Sequence, residues 1–230
     1  MKFVPLTSEE REIYAWQLDL PGFGEEAQQK LKNASVLISR VGGVGGIVAT
    51  QLAMAGVGRL VLAHGGNLKP SDLNRQSLQT HAHIGKPRID NIVRRLLEIN
   101  PRLEISAIPE NASEANAASM VSQADVVVDA APLFEERFAL NRAAVTAGKP
   151  SIECAMYAME AHLTCIVPGR TPCLECFVAE KPPTWTRRFP VLGAVSGTAG
   201  CMAATETVKL LTGIGKPLAG ILLVLDLASM

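Results

Sequence analysis

Short apolar runs alternate with stretches of helical spacing along the first two thirds of this chain, and that alternation predicts its elements. Val36–Ser39, Arg59–Ala63, Leu103–Ile108 and Ala124–Asp129 are rich in Val, Leu and Ile, as strands covered on both faces must be. Between them, Ile89, Ile92, Val93, Leu96 and Leu97 mark one face of a helix over 87–98. Segments 46–56, 113–122 and 134–147 read as helices too, and Ser151–Cys154 as a further strand. Thr7 or Ser8 caps a first helix, and 24–31 forms a second. The pattern then changes to a strand-like Glu160–Val167, a proline-punctuated loop over 168–190, a helix over 196–212 and a strand over 220–226. The expectation is an α/β, Rossmann-like doubly wound sheet, parallel in its N-terminal half and mixed in its C-terminal half. One domain over 1–230 would comprise N-terminal helices (7–32), a Rossmann-like part (33–155) and a mixed part (156–230).

Composition agrees and excludes several classes. Apolar residues make up 48% and aromatics 4%, which suits a helix-covered parallel sheet better than a β-sandwich. Lys plus Arg and Asp plus Glu both number 22, so no net field draws nucleic acid or an anionic membrane. The near-neutral pI of 6.9 tolerates self-association. No apolar run approaches the ~20 residues that span a bilayer, and the first ten residues hold none suited to export. Five cysteines without framework-like spacing point to a reducing cytoplasm.

Candidate chemistry begins at Gly42, Gly43, Gly45 and Gly46, which close the first strand and open the apolar helix Ile47–Met54. Such a turn lets backbone N–H groups approach phosphate oxygens at a helix N-terminus. Its plainer use is close strand–helix packing. Arg75, Gln76, Lys86 and Arg88 follow where they could reach the same phosphates. Asp129, at the carboxyl end of a strand, could hold Mg²⁺ or a ribose. A dinucleotide fingerprint is incomplete: Arg40 stands at its first glycine, and the second strand ends in Ala63-His64-Gly65-Gly66 without an acid. That disfavours an NAD(P) oxidoreductase. Cys173-Leu-Glu-Cys176 has the spacing of half a tetrahedral Zn²⁺ site, whereas Cys154, Cys165 and Cys201 sit in apolar runs and read as core.

Gly42-Gly-Val-Gly45, Gly56-Val-Gly-Arg-Leu60, Asp72-Leu-Asn-Arg-Gln76, Gly85-Lys-Pro-Arg88, Ile99-Asn-Pro101, Pro172-Cys-Leu-Glu-Cys176, Leu192-Gly-Ala-Val-Ser-Gly197 and Glu206-Thr-Val-Lys209 form an ordered series. In order and approximate spacing the series resembles the ubiquitin-activating and sulfur-carrier-activating enzymes, the ThiF/MoeB/HesA family. The likeness is strongest to the HesA branch, through Gly65-Gly-Asn67, Phe134-Glu-Glu-Arg137, Glu180-Lys-Pro182 and Val191–Gly197. The resemblance implies a homodimer that binds ATP and Mg²⁺ and adenylylates the C-terminal glycine of a ubiquitin-like or sulfur-carrier protein. It assigns Gly42, Gly43, Gly45, Arg75, Gln76, Lys86 and Arg88 to the nucleotide, with Arg75, Lys86, Arg88 and Asp129 as catalytic residues. The chain departs from the family pattern at Trp16, Arg40, His64, Arg88 and Pro132, and its 178–192 loop has no cysteine to form a thioester. The alternative expectation is a catalytically degenerate nucleotide- or protein-binding scaffold of the same fold.

Overall fold

A computed structural model describes residues 4–229. Thr7 begins α1 (Ser8–Ile13) with a reciprocal cap: its hydroxyl accepts from the Glu10 N–H at 3.1 Å, and the Glu10 carboxylate accepts from the Thr7 N–H at 2.7 Å. Helices α2 (Ala15–Leu18) and α3 (Gly24–Lys32) lead into the sheet. Then follow β1 (Ser35–Ser39), α4 (Gly43–Ala55), β2 (Arg59–Ala63), α5 (Arg88–Ile99), β3 (Glu104–Ile108), α6 (Ala117–Ser122) and β4 (Val126–Asp129). The chain continues through α7 (Phe134–Thr146), β5 (Ser151–Tyr157), β6 (Glu160–Ile166), α8 (Leu174–Phe177), α9 (Gly193–Thr212) and β7 (Leu223–Asp226).

The seven strands form one sheet in the order β3-β2-β1-β4-β5-β6-β7. The first five are parallel, and β6 and β7 add antiparallel, so the expected change of architecture occurs within a continuous sheet. Strand order reverses between β1 and β4, which opens a crevice beyond their carboxyl ends. Side chains alternate across the sheet as strand geometry demands. Val36, Ile38, Leu60, Leu62, Val126 and Val128 face the layer of α3, α4, α5 and α9. Leu37, Val61 and Val127 face α6 and α7.

Several boundaries differ from expectation, each for a local reason. Helix α4 starts at Gly43 instead of 46, because the Gly42 carbonyl already accepts from the Gly46 N–H at 2.9 Å. Helix α6 starts at Ala117 instead of 113, since the Ser113 N–H is taken by the Asn116 side chain at 2.8 Å, which favours a turn there. Strand β5 continues past Cys154 to Tyr157 because β6 pairs along its whole length. Helix α9 starts at Gly193, β7 is confined to Leu223–Asp226 where β6 offers a partner, and α8 interrupts the expected long loop. Cys154 and Cys165 are buried, but Cys201 is exposed: it lies on the outer side of α9, so its apolar neighbours misled the core assignment.

Helices α4 and α9 cross tightly at Gly200. A Cβ there would lie 2.7 Å from the Ile47 Cβ and 2.8 Å from the Val44 carbonyl oxygen. Alanine is the better helix former by ~1 kcal/mol, yet overpacking of this kind costs about 1–3 kcal/mol. Gly200→Ala is therefore expected to lower the denaturant midpoint at unchanged m-value; an unchanged or raised midpoint would show that the crossing can relax.

Candidate functional site

The crevice beyond β1 and β4 holds a cavity of about 260 Å³. Gly42 caps α4 without a side-chain hydrogen bond, and Gly42, Gly43 and Val44 line the cavity. The first N–H groups of a helix have no intrahelical acceptor, so this wall presents donors and the positive end of the helix dipole. A Cβ on Gly43 would meet the Ser196 hydroxyl at 3.1 Å and the Arg75 side chain at 3.2 Å. Gly45 faces elsewhere: its Cβ would lie 2.6 Å from the Arg40 carbonyl oxygen, so it permits the turn to pack and does not line the cavity.

The polar residues expected at the site divide into two groups. Arg75 and Gln76 are in the cavity wall. Arg75 donates to the Ser71 carbonyl at 2.8 Å and the Asn74 side chain at 2.9 Å, and pairs with Asp72 at 3.3 Å. Arg88 lies behind this wall, buried, donating to Asp72 at 2.7 and 3.2 Å and to the Gly65 carbonyl at 3.2 Å. Burial opposes ionisation of Asp72. The Lys69 N–H and the Arg88 and Arg75 charges outweigh it and hold the carboxyl below its usual range. Arg88 thus sets Asp72, and Asp72 helps to set Arg75. Lys86 is exposed and outside the wall.

Arg40 has φ 55°, a left-handed conformation that costs about 1–3 kcal/mol in a non-glycine residue. Its guanidinium forms a two-point pair with Glu136 of α7, at 2.7 and 2.5 Å, with both side chains largely buried. The fingerprint's first glycine has become an arginine tied into the cavity wall. Asp129 lies buried beneath the wall with only one of its oxygens hydrogen-bonded. One oxygen accepts from the Ser39 hydroxyl and the Ala131 N–H, both at 2.9 Å, and the other lies 3.6 Å from the Arg137 guanidinium.

Glu153 beside Asp129 is pushed well above the usual carboxylate range, first by burial and then by the Asp129 charge. Arg137 donates to Glu153 at 3.0 Å and to the Cys154 carbonyl at 3.0 Å, holding the group together. The Cys154 thiol is pushed up to about 12 by burial, so the cysteine in the cavity wall is no nucleophile.

Among the described residues no carboxylate lines the cavity, and no group of three or more His, Cys, Asp or Glu side chains could hold a metal. A protein-held Mg²⁺ does not fit this wall. Cys173 and Cys176 lie outside it, with sulfurs 3.6 Å apart. Among the described residues they provide two of the four ligands a structural Zn²⁺ site requires.

Two residues of the wall each carry a buried atom without a partner. Nδ1 of His64 and Oε1 of Gln76 are buried without a hydrogen bond. An orphaned buried polar atom costs about 1–3 kcal/mol. His64, 4% exposed, is pushed down to about 4 by burial and by the Arg88 and Arg40 charges, so it is neutral at pH 7. The opposite wall is aromatic: Trp185 lies 5.0 Å from Phe189 and edge-on to Phe134 at 5.3 Å, and donates its indole N–H to the Pro132 carbonyl at 3.0 Å. Sequence reasoning passed over this wall, although Trp185 and Phe189 stand out in a chain so poor in aromatics.

The His64 shift has a defined consequence. Between pH 6.5 and about 4 the unfolded chain binds a proton at His64 that the folded chain refuses, so stability falls with pH across that window. At ~1.4 kcal/mol per unit, the loss by pH 4 is about 3 kcal/mol. Urea melts of wild type and His64→Asn at pH 7.5 and 4.5 should show a smaller acid loss in the variant. Parallel losses would mean that His64 is not held neutral.

Comparison with known proteins places this site in context. Residues 14–230 match the ThiF family. Protein HesA, vegetative, of Trichormus variabilis is 51% identical over 225 residues, covering 97% of this chain and 84% of that protein. The sulfur carrier protein adenylyltransferase of Thermus thermophilus is 35% identical over 229 residues, covering 96% and 84%. The crystal structure of E. coli MccB with ATP superimposes at a TM-score of 0.74 and 26% identity, over 88% of this chain and 65% of that one. Adenylyltransferases are thus among the relatives. The likeness holds in sequence and in backbone alike, over nearly the whole length: this chain belongs to the ThiF family.

Proposed function

We propose that the chain binds ATP in the β1–β4 crevice and adenylylates a carboxylate, that of the C-terminal glycine of a ubiquitin-like or sulfur-carrier protein. One observation carries the reading: the open N–H groups of the α4 turn meet a cavity wall that contains arginines and no acid. In the reaction a carboxylate oxygen attacks the α-phosphorus and pyrophosphate leaves. The product is a mixed anhydride with a good leaving group. The protein aligns the two reactants and offsets charge that spreads over the phosphate oxygens. Gly42, Gly43 and Gln76 bind, Arg75 stabilises charge, and Arg88 positions Arg75 through Asp72. Asp129 supports the floor with Arg137, and no step is assigned to Lys86. Neutral His64 supplies an acceptor to the nucleotide without adding to the local cationic charge. We place the reaction in the cytoplasm and in a homodimer; Ile13, Trp16 (92% exposed) and Leu20 are exposed apolar side chains near the N-terminus.

A second reading, a scaffold that binds nucleotide without turnover, is favoured by the absence of carboxylates from the wall and by the Arg40–Glu136 pair. Calorimetry with ATP and pyrophosphate exchange with Gly-Gly-tailed carriers separate the two. Exchange supports adenylylation, binding without exchange supports the scaffold, and no binding at millimolar ATP removes both. Arg75→Ala should weaken ATP binding about 10- to 100-fold, the worth of a hydrogen bond to a charged group, with an unchanged melting curve. Unaltered affinity would take Arg75 out of the site.

A further inference from the structure

Arg187 is the cation of this cavity that the protein leaves uncompensated. Each of the other guanidiniums in the wall has a carboxylate: Arg40 has Glu136, Arg75 has Asp72, and Arg137 has Glu153 and Asp129. Arg187 lines the same wall from an exposed stretch of loop, and among the described residues it makes no ion pair and no side-chain hydrogen bond. Burial, then the nearby Arg40 and Arg75 charges, pull it below the usual arginine value, while Asp72 and Glu136 offset this only in part. Like charges converge at a cost, and the cost is recovered when an anion sits between them.

The loop that carries Arg187 is fastened on both sides. Before it, Lys181 pairs with Glu135 at 3.0 Å, and the Trp185 indole donates to the Pro132 carbonyl at 3.0 Å. After it, Phe189 stacks on Tyr157 at 6.3 Å, and the Pro190 carbonyl accepts from the Ala158 N–H at 3.1 Å. The guanidinium is therefore held over the cavity by contacts that do not involve its own charge. Its neighbour Arg188, equally exposed, is not part of the wall.

We infer that Arg187 and Arg75, which line the same cavity, together clamp an oxyanion of the substrate. The inference rests on the proposed function for the identity of the anion, either a terminal phosphate of ATP or the carboxylate to be activated. The clamp makes the loop a part of the binding site, so bound anion and seated loop stabilise each other.

Calorimetry on the full chain tests this with three probes: ATP, AMP and inorganic pyrophosphate. The proteins are wild type, Arg187→Ala, Arg187→Lys and the control Arg188→Ala. If the anion is a terminal phosphate, Arg187→Ala weakens ATP and pyrophosphate at least tenfold, leaves AMP nearly unchanged and lowers the salt dependence of ATP binding, with partial recovery in Arg187→Lys. If the anion is the carboxylate, ATP affinity holds, and pyrophosphate exchange instead shows a KM for the carrier raised at least tenfold at similar kcat. Either pattern, with Arg188→Ala behaving as wild type, supports the clamp. Equal effects of Arg187→Ala and Arg188→Ala, or none from Arg187→Ala in any assay, overturn it. A wild type that binds pyrophosphate in an Arg187-dependent way but not ATP would sink the nucleotide reading and leave the clamp standing. Binding of neither probe would sink both.

Discussion

The carbonyl oxygen of Arg40 stands 2.6 Å from where a Cβ on residue 45 would project, and the rest of the site depends on that crowding. Because Gly45 has no side chain, the first turn of α4 can fold directly onto the end of β1. The crowding points Gly42, Gly43 and Val44 into the crevice, and brings Ser196 of α9 under Gly43. Arg40 accepts a left-handed backbone to make the turn, and its two-point pair with Glu136 ties the strained residue to α7. Strain at the turn and order in the wall are two sides of one packing solution.

Charge in the site is managed in layers. Behind the wall, Arg88 fixes Asp72; within the wall, Asp72 and the Ser71 carbonyl orient Arg75; over the wall, Arg187 has no acid of its own among the described residues. Beneath lie Asp129 and Glu153, both beside Arg137 of the wall, and burial raises Glu153. The surface of the cavity is therefore cationic while the interior is balanced. A cationic wall suits a ligand that brings negative charge.

Much of the fold was legible because buried parallel strands and amphipathic helices write their period into the sequence. Strand β2 lies where its apolar run stands, and α5 follows the Ile89–Leu96 stripe. The start of α6 was not legible, since Asn116 diverts a backbone donor through its side chain, a competition that periodicity does not record. Cys201 was misplaced for a related reason: apolar neighbours reveal a helix, but not which of its sides another helix covers.

By itself the sequence determined the alternating α/β order, the glycine turn and the residue types gathered after it, because those depend on local conformational preference and on spacing. Only the tertiary structure decided which cations face the cavity. Arg75 and Arg88 look equivalent in the chain, yet one lines the wall and the other is buried against Asp72. Arg187, far away in sequence, reaches the cavity because Trp185 and Phe189 fasten its loop there. Charge pairing is a property of distance in three dimensions, and no one-dimensional pattern encodes it.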